Sequence, residues 1–211
     1  MPTARSYGDA CPIARALDVI GERWALVVVR ELIFGAQRFS DLRRALPGAS
    51  TNMLTDRLRE LEAHGVVRRR ILPPPAASAV YELPERGRAL EPILDPLGAW
   101  GSTEPRPEPS SLTATSVLLF LRGSARARPI PAAMTYRVQL DDRVWTISTA
   151  DGQLEVLSHD TAAADATLRT DPETLNSLLH DPAGLDAAIA GGAVRTEGNL
   201  SALRRLIQVA T

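Results

Sequence analysis

The chain has 211 residues, 45% of them apolar and 23% charged, which is enough apolar material for one or two packed domains and argues against global disorder. All 24 basic residues are Arg, so a Walker A phosphate loop, a Schiff-base lysine and a kinase lysine are excluded, each needing an ammonium at a fixed place. The net charge of −1 hides an asymmetry: residues 38–70 hold 8 Arg against 4 acids, a local excess that suits a polyanion-facing patch or a solvated helical face.

In chain order, Ile13, Leu17, Ile20 and Trp24 recur at helical spacing and predict an amphipathic helix. Pro12 suits its first position, which puts Cys11 at or beside the N-cap. A second apolar helix is expected over about 24–33, stopping at Gly35. A short helix follows with Ser40 as N-cap and Phe39, Leu42, Ala45 and Leu46 turned inward. PGAS at 47–50 reads as a compact turn. Ser50 then caps a longer helix with Leu54, Leu58 and Leu61 as its stripe, closed by Gly65 in the left-handed position. VVRRRIL at 66–72 and AVYEL at 79–83 read as strands around PPPAAS, and a last helix is expected over about 84–99.

GSTEPRPEPSS places Pro at 105, 107 and 109, which blocks helix and ladder hydrogen bonds and predicts an extended linker. The expected division is therefore a domain at 1–100, a linker at 101–111 and a domain at 112–211. In the second domain SLTATSVLLFLRGSARAR reads as a helix. MTYRVQL alternates, turns at Asp141-Asp142 and returns as RVWTIST, and LEVLS and DATLRT predict two more strands. Asp171-Pro172 and Asp181-Pro182 each open a short helix, an N-cap followed by a first-turn proline. A strand AVRTEG precedes an Asn199-capped helix. A helix, antiparallel strands and further helices make an α+β plan.

Two helices joined by a short Gly-containing turn and followed by a β-hairpin form a winged helix-turn-helix pattern, mainly α. The leucine stripe leaves Thr51, Asn52, Thr55, Asp56 and Arg59 on the outer arc, with the first three at the end where base edges are read. Arg57 borders the stripe and either supports the helix or reaches a phosphate. Ser50 is a DNA-contact candidate whose simpler role is N-capping. Arg43, Arg44, Arg68, Arg69 and Arg70 suit phosphates, and strand alternation sends Arg68 and Arg70 to one face and Arg69 to the other.

CPIARALDVIGERW, RFSDLRRALPG and YELPERGRAL resemble the HxlR-type (MarR-like) family of bacterial winged-helix regulators, over roughly residues 5–100. The resemblance implies a homodimer that binds inverted-repeat operators in double-stranded DNA, usually as a repressor. The tip PPPAAS departs from relatives in carrying no basic residue. Cys11 occupies a place where family members commonly use a thiol switch, and helix N-termini favour a thiolate; the alternative is a small buried apolar residue. ATLRTDPETL and GAVRTEGNL are similar to the sterol-carrier-protein-like fold over roughly 112–209, whose sheet and helices enclose an apolar tunnel.

That similarity implies a hydrophobic small-molecule effector, with Phe120, Met134, Tyr136, Trp145, Ile147 and Leu157 as wall or, equally, as plain core. The first helix and the helix at 84–99, with Leu94, Leu97 and Trp100, are the expected dimer surfaces. The single Cys excludes an intrachain disulfide and any multi-cysteine zinc site. His64, His159 and His180 lie far apart, and no GxGxxG or GxSxG occurs, so no catalytic residue, metal or cofactor is expected. The longest apolar runs, ALVVV and VLLFL, fall far short of the roughly 20 residues of a membrane span, and MPTARSYGDA has no signal-like apolar stretch, so a cytoplasmic protein without membrane association is expected. A different class of reading makes the chain a lipid or small-molecule carrier whose first domain serves protein interaction.

Overall fold

A computed structural model describes residues 6–74, 77–105, 107–108, 110–127, 133–160 and 163–210. Part of the expected wing tip (residues 75 and 76) and of the linker (residues 106 and 109) lies outside these. The chain divides into two compact units, Met1–Gly101 and Ser102–Thr211.

The first unit runs α1 (Pro12–Ile20), α2 (Ala25–Leu32), β1 (Gln37–Arg38), α3 (Phe39–Ala45), α4 (Thr51–Ala63), β2 (Arg68–Ile71), β3 (Ala79–Glu82), α5 (Glu85–Arg88) and α6 (Glu91–Gly101). Its core is aliphatic: Val28, Val29 and Leu32 of α2, Leu42 of α3, and Leu54, Leu58 and Leu61 of α4 are all buried. The hairpin β2–β3 gains β1 as a third strand, in the order β1-β3-β2, antiparallel throughout.

Local chemistry sets the ends of α4. The Ser50 hydroxyl accepts from the Met53 N–H at 3.2 Å. At the other end Gly65, just past the helix, takes φ +67, and the Val66 N–H reaches back to the Leu61 carbonyl at 2.8 Å, the bond that closes a helix followed by a left-handed residue. The cap of α3 is not Ser40, which lies inside the first turn. The chain passes straight from β1 into α3, so the last extended residue is Arg38, and its N–H donates to the Asp41 carboxylate at 3.2 Å.

The helix expected over 84–99 is broken into α5 and α6. The break falls at residues 89–90, and Pro92, with no N–H to bond the Arg88 carbonyl, takes its place in the first turn of α6, where none is needed. Gly87 is required where α5 crosses the chain leaving α4: a Cβ there would lie 2.1 Å from the Val66 carbonyl oxygen.

The second unit is built on a five-stranded sheet in the order β6-β5-β4-β7-β8. Its elements are α7 (Ala114–Ala127), β4 (Met134–Leu140), β5 (Arg143–Ala150), β6 (Gln153–Leu157), β7 (Ala166–Thr170), α8 (Pro172–His180), a 3-10 turn (Pro182–Gly184), α9 (Leu185–Ala190), β8 (Arg195–Gly198) and α10 (Leu200–Ile207). One expectation is corrected. β7 pairs parallel to β4 rather than extending an antiparallel meander, because the connection from β6 leads past β5 to the far side of β4. Asp141, in the tight turn between β4 and β5, adopts φ +54, a left-handed conformation that Asp tolerates better than most residues.

Tyr136, Val138, Leu140, Trp145 and Ile147 fill one sheet face against helices whose inner residues include Leu118, Leu121, Leu179 and Leu203, all buried. Asn199 caps α10 by accepting from the Ala202 N–H at 3.0 Å. Asp171 caps α8 through the Thr174 N–H at 2.8 Å and hydroxyl at 2.7 Å. Burial alone would raise the Asp171 carboxyl, but these hydrogen bonds hold it below the usual Asp range.

The stabilisation from Asp171 is therefore complete above the ordinary Asp pKa and is lost as pH falls through the lowered native value. Asp171→Ala is expected to cost about 0.5–2 kcal/mol at neutral pH, measured by urea unfolding, and the gap between variant and wild type closes on acidification. A gap that stays constant to about pH 2 would refute the ionised cap.

Candidate nucleic-acid interface

The leucine stripe of α4 turns a polar arc outward. Thr51, Asn52 and Arg59 are exposed and Thr55 is half-buried. The Thr55 hydroxyl donates to the Thr51 carbonyl at 2.8 Å, leaving Thr51 and the Asn52 amide at the helix N-terminus. Arg43 links α3 to this end, with Nε 3.3 Å from the Thr51 hydroxyl and Nη1 3.4 Å from the Leu46 carbonyl. Arg44 and Arg59 are exposed and lie 3.9 Å from Asp41 and Asp56, long ion pairs that solvent screens and a phosphate can replace.

Arg57 is the correction within this set. It is 8% exposed, bonded to Glu60 on the same helix and 3.7 Å from Glu22 in the α1–α2 connection. Position 57 lies at the edge of the stripe, about 40° from the Leu61 direction at about 100° per residue, and its buried guanidinium braces the helix through Glu60 and Glu22 rather than facing solvent. Ser50 is likewise occupied as the cap.

The same α1–α2 connection supports the turn before α4. Trp24 adopts φ +77, a conformation that is strained for a bulky residue. Its ring lies so close to Gly48 that a Cβ at that glycine would be 3.0 Å from the indole Cη2. Arg23 lies over the same ring, 5.5 Å from its centre.

In the hairpin the register confirms the alternation. Arg68 and Arg70 share a face with Glu82 and Val80, and Arg69 stands opposite Tyr81 on the other. Glu82 accepts from both Arg68 and Arg70. Burial would raise its carboxyl, but the two guanidiniums hold it below the usual carboxylate range. Arg38 joins this face through its register with Val80. Neither Glu82 nor Arg38 was expected to matter, although the RRR…YE pattern held the signal of a cross-strand pair.

Cys11 is exposed in the single chain, where it is not a small residue of the first unit's core and residues 6–10 leave the thiol uncovered. That segment is tied to α1 by the Ser6 hydroxyl and Tyr7 N–H, which donate to Asp18 at 2.9 and 2.8 Å. No residue of α1 is buried, and Ile13 and Leu17 are exposed. On α6 Leu97 and Trp100 are exposed and Leu94 is half-buried.

Of the pocket candidates, Tyr136, Trp145 and Ile147 lie in the interior of the second unit, with Met134 half-buried at the end of the same face. The Trp145 indole N–H is buried without a partner, and Arg143 lies over the ring at 4.7 Å. Two candidates fail. Phe120 is 40% exposed and stacks on His180 at 5.0 Å, because the inward direction of α7 is taken by Val117, Leu118 and Leu121. Leu157 stands opposite Thr146, on the sheet face turned away from Trp145. Among the described residues no three His, Cys, Asp or Glu are placed to hold a metal ion, and no helix is long and apolar enough to cross a membrane.

The family model of the HxlR-like helix-turn-helix matches residues 19–108, and that of the SCP-2 sterol transfer family matches residues 120–211. The HTH-type transcriptional regulator YvaP of Bacillus subtilis is 39% identical over 98 residues, 46% of this chain and 91% of the relative. YodB of the same organism, also an HTH-type transcriptional regulator, is 34% identical over 43% of this chain and 81% of its own. A solved structure of the redox regulator HypR in its oxidized form is 39% identical and covers 46% of this chain and all of that one, with a TM-score of 0.43. Each of these covers less than half of this chain.

Arg57→Ala is expected to destabilise the first unit by about 1–3 kcal/mol, through the lost packing of its buried side chain and the lost brace to Glu60 and Glu22, whose carboxylates stay partly in solvent. Arg59→Ala should change unfolding by less than about 0.5 kcal/mol. Equal, small effects in thermal unfolding would return Arg57 to the surface set.

Proposed function

Because the chain belongs to the HxlR-like helix-turn-helix family, we propose that its first unit is a winged helix-turn-helix that binds double-stranded DNA and that the protein is a transcriptional regulator. The observation that carries this reading is α4: a helix fixed from beneath by Leu54, Leu58, Leu61 and Arg57, with Thr51, Asn52 and Thr55 outward at its N-terminal end. Small polar side chains at that end suit base edges in the major groove, and an Asn amide pairs bidentately with adenine. Arg43, Arg44 and Arg59 around the helix, and Arg69 on the hairpin, supply phosphate contacts.

The active form in this reading is a homodimer joined through α1 and α6, whose exposed Ile13, Leu17, Leu97 and Trp100 are apolar surface a single chain leaves in water. Twofold symmetry matches an inverted-repeat operator with half-sites about 34–36 Å apart, and occupancy of such a site represses. The protein carries no catalytic step. The effector is a hydrophobic small molecule taken by the SCP-2-like unit, a thiol-reactive compound at exposed Cys11, or both. The buried, unpartnered Trp145 N–H supports the first, since a buried donor left without an acceptor is costly.

Titration against duplex DNA from upstream of the protein's own gene tests the core of this reading. Affinity should fall steeply with salt. Asn52→Ala should cost about 1–3 kcal/mol on that DNA and little on random duplex, whereas Arg69→Ala weakens both alike. Equal losses for Asn52→Ala on the two DNAs remove it from base reading. Indifference to DNA together with tight lipid retention makes the chain a carrier instead. A mild thiol oxidant should release wild-type protein but not Cys11→Ser; release of both, or of neither, rules out Cys11 as the switch.

A further inference from the structure

Asp41 and Asp56 on the surface of the first unit each meet one arginine, Arg44 and Arg59, at 3.9 Å. Glu82 is different. One carboxylate oxygen accepts from Nε and Nη2 of Arg68 at 3.0 and 2.5 Å, and the other from Nε of Arg70 at 3.2 Å. The Glu82 side chain is 16% exposed, against 63% for Arg68 and 47% for Arg70, so the acid lies beneath the two cations. It also sits on the central strand of the β1-β3-β2 sheet, on the face that carries Arg38, Arg68 and Arg70, where it is the single acid.

We propose that Glu82 is a specificity-determining residue, one that withholds positive charge from the hairpin so that attraction to any phosphate backbone stays subordinate to base reading by α4. The proposal rests on the DNA-binding reading above. Each guanidinium is engaged through its Nε side, which leaves an outer Nη edge for a phosphate, but the trio of Arg68, Arg70 and Glu82 presents a net charge of +1 rather than +2. Non-specific binding draws essentially all its free energy from phosphate neutralisation and counterion release. A sliding, unregistered complex responds to the whole charge of the face. A registered complex gains only from charges that meet a phosphate. Added charge at this place therefore strengthens random binding more than operator binding, and the specificity ratio falls.

The test compares wild type and Glu82→Gln on random-sequence duplex and on duplex from upstream of the gene, across a salt series. Glu82→Gln keeps the side-chain shape and should bind random duplex more tightly. Its log–log salt slope should steepen by roughly one unit, which is on the order of threefold in affinity between about 50 and 200 mM salt. Its gain on the upstream DNA should be smaller. Thermal unfolding checks that the variant is folded, and the same substitution in an Arg68→Gln, Arg70→Gln background should produce no such gain. An unchanged slope, weaker random binding or a constant specificity ratio overturns the proposal. An equal gain in the doubly substituted background also overturns it, by making Glu82 a generic surface charge. Wild-type protein that shows no salt-dependent binding to either duplex ends the DNA-binding reading itself, and that outcome is visible before any variant is made.

Discussion

The geometry of α4 depends on one short piece of chain, the connection between α1 and α2. Glu22 reaches the buried Arg57 beneath α4, and Trp24, two residues on, sets its ring against Gly48 in the turn that leads into α4. The left-handed backbone at Trp24 is the local cost of that placement, on the order of 1–3 kcal/mol for a residue in such a region. It persists because the ring has one place to go, where even a methyl group on residue 48 would crowd it. The helix is held at its base by an ion pair and at its start by an indole, both supplied from outside the helix-turn-helix itself.

This arrangement explains why an arginine occupies position 57. A leucine would pack there, and an isolated buried ion pair is often no more stable than an apolar substitute. What the guanidinium adds is direction: it joins Glu60 on its own helix to Glu22 on another element, which an aliphatic side chain cannot do. The sequence offered a clue, since position 57 borders the leucine stripe beside Leu61, but helical spacing alone left open whether its charge turned inward or out to a phosphate. Glu82 was hidden for a related reason. Strand alternation separated Arg69 from Arg68 and Arg70, yet which residue of the returning strand stands opposite depends on the hairpin register, and PPPAAS sets no obvious turn type.

The parts of the fold that were legible are those governed by local chemistry: the Ser50, Asp171 and Asn199 caps, the Gly65 stop, the leucine stripe and the alternation of Tyr136, Val138, Trp145 and Ile147. The parts that were not depend on which surface another element has already taken. Ser40 lost the cap of α3 because β1 delivers the chain at Arg38. Phe120 was displaced from the interior of the second unit by its own neighbours on α7. Leu157 faces away because it is registered with Thr146, not Ile147. The parallel pairing of β4 with β7 arises from a crossover that no local pattern encodes.

Cys11 lies at the opposite end of α1 from the connection that holds α4. The nine residues of α1 make a rod of roughly 13 Å at the usual rise per residue, with no residue buried. Ser6 and Tyr7, which precede Cys11, are fastened to Asp18, two residues from the end of that rod. In the proposed thiol-responsive reading, chemistry at Cys11 would act at α4 through a short lever, by shifting α1 and with it Glu22 and Trp24. The lever works only if α1 has two resting positions, because a packed element responds by switching between arrangements rather than by bending. In the proposed homodimer the exposed apolar face of α1 would supply the means: docked against a second copy, its position would be set by that contact, and a bulky adduct at its N-terminus would compete with the docking.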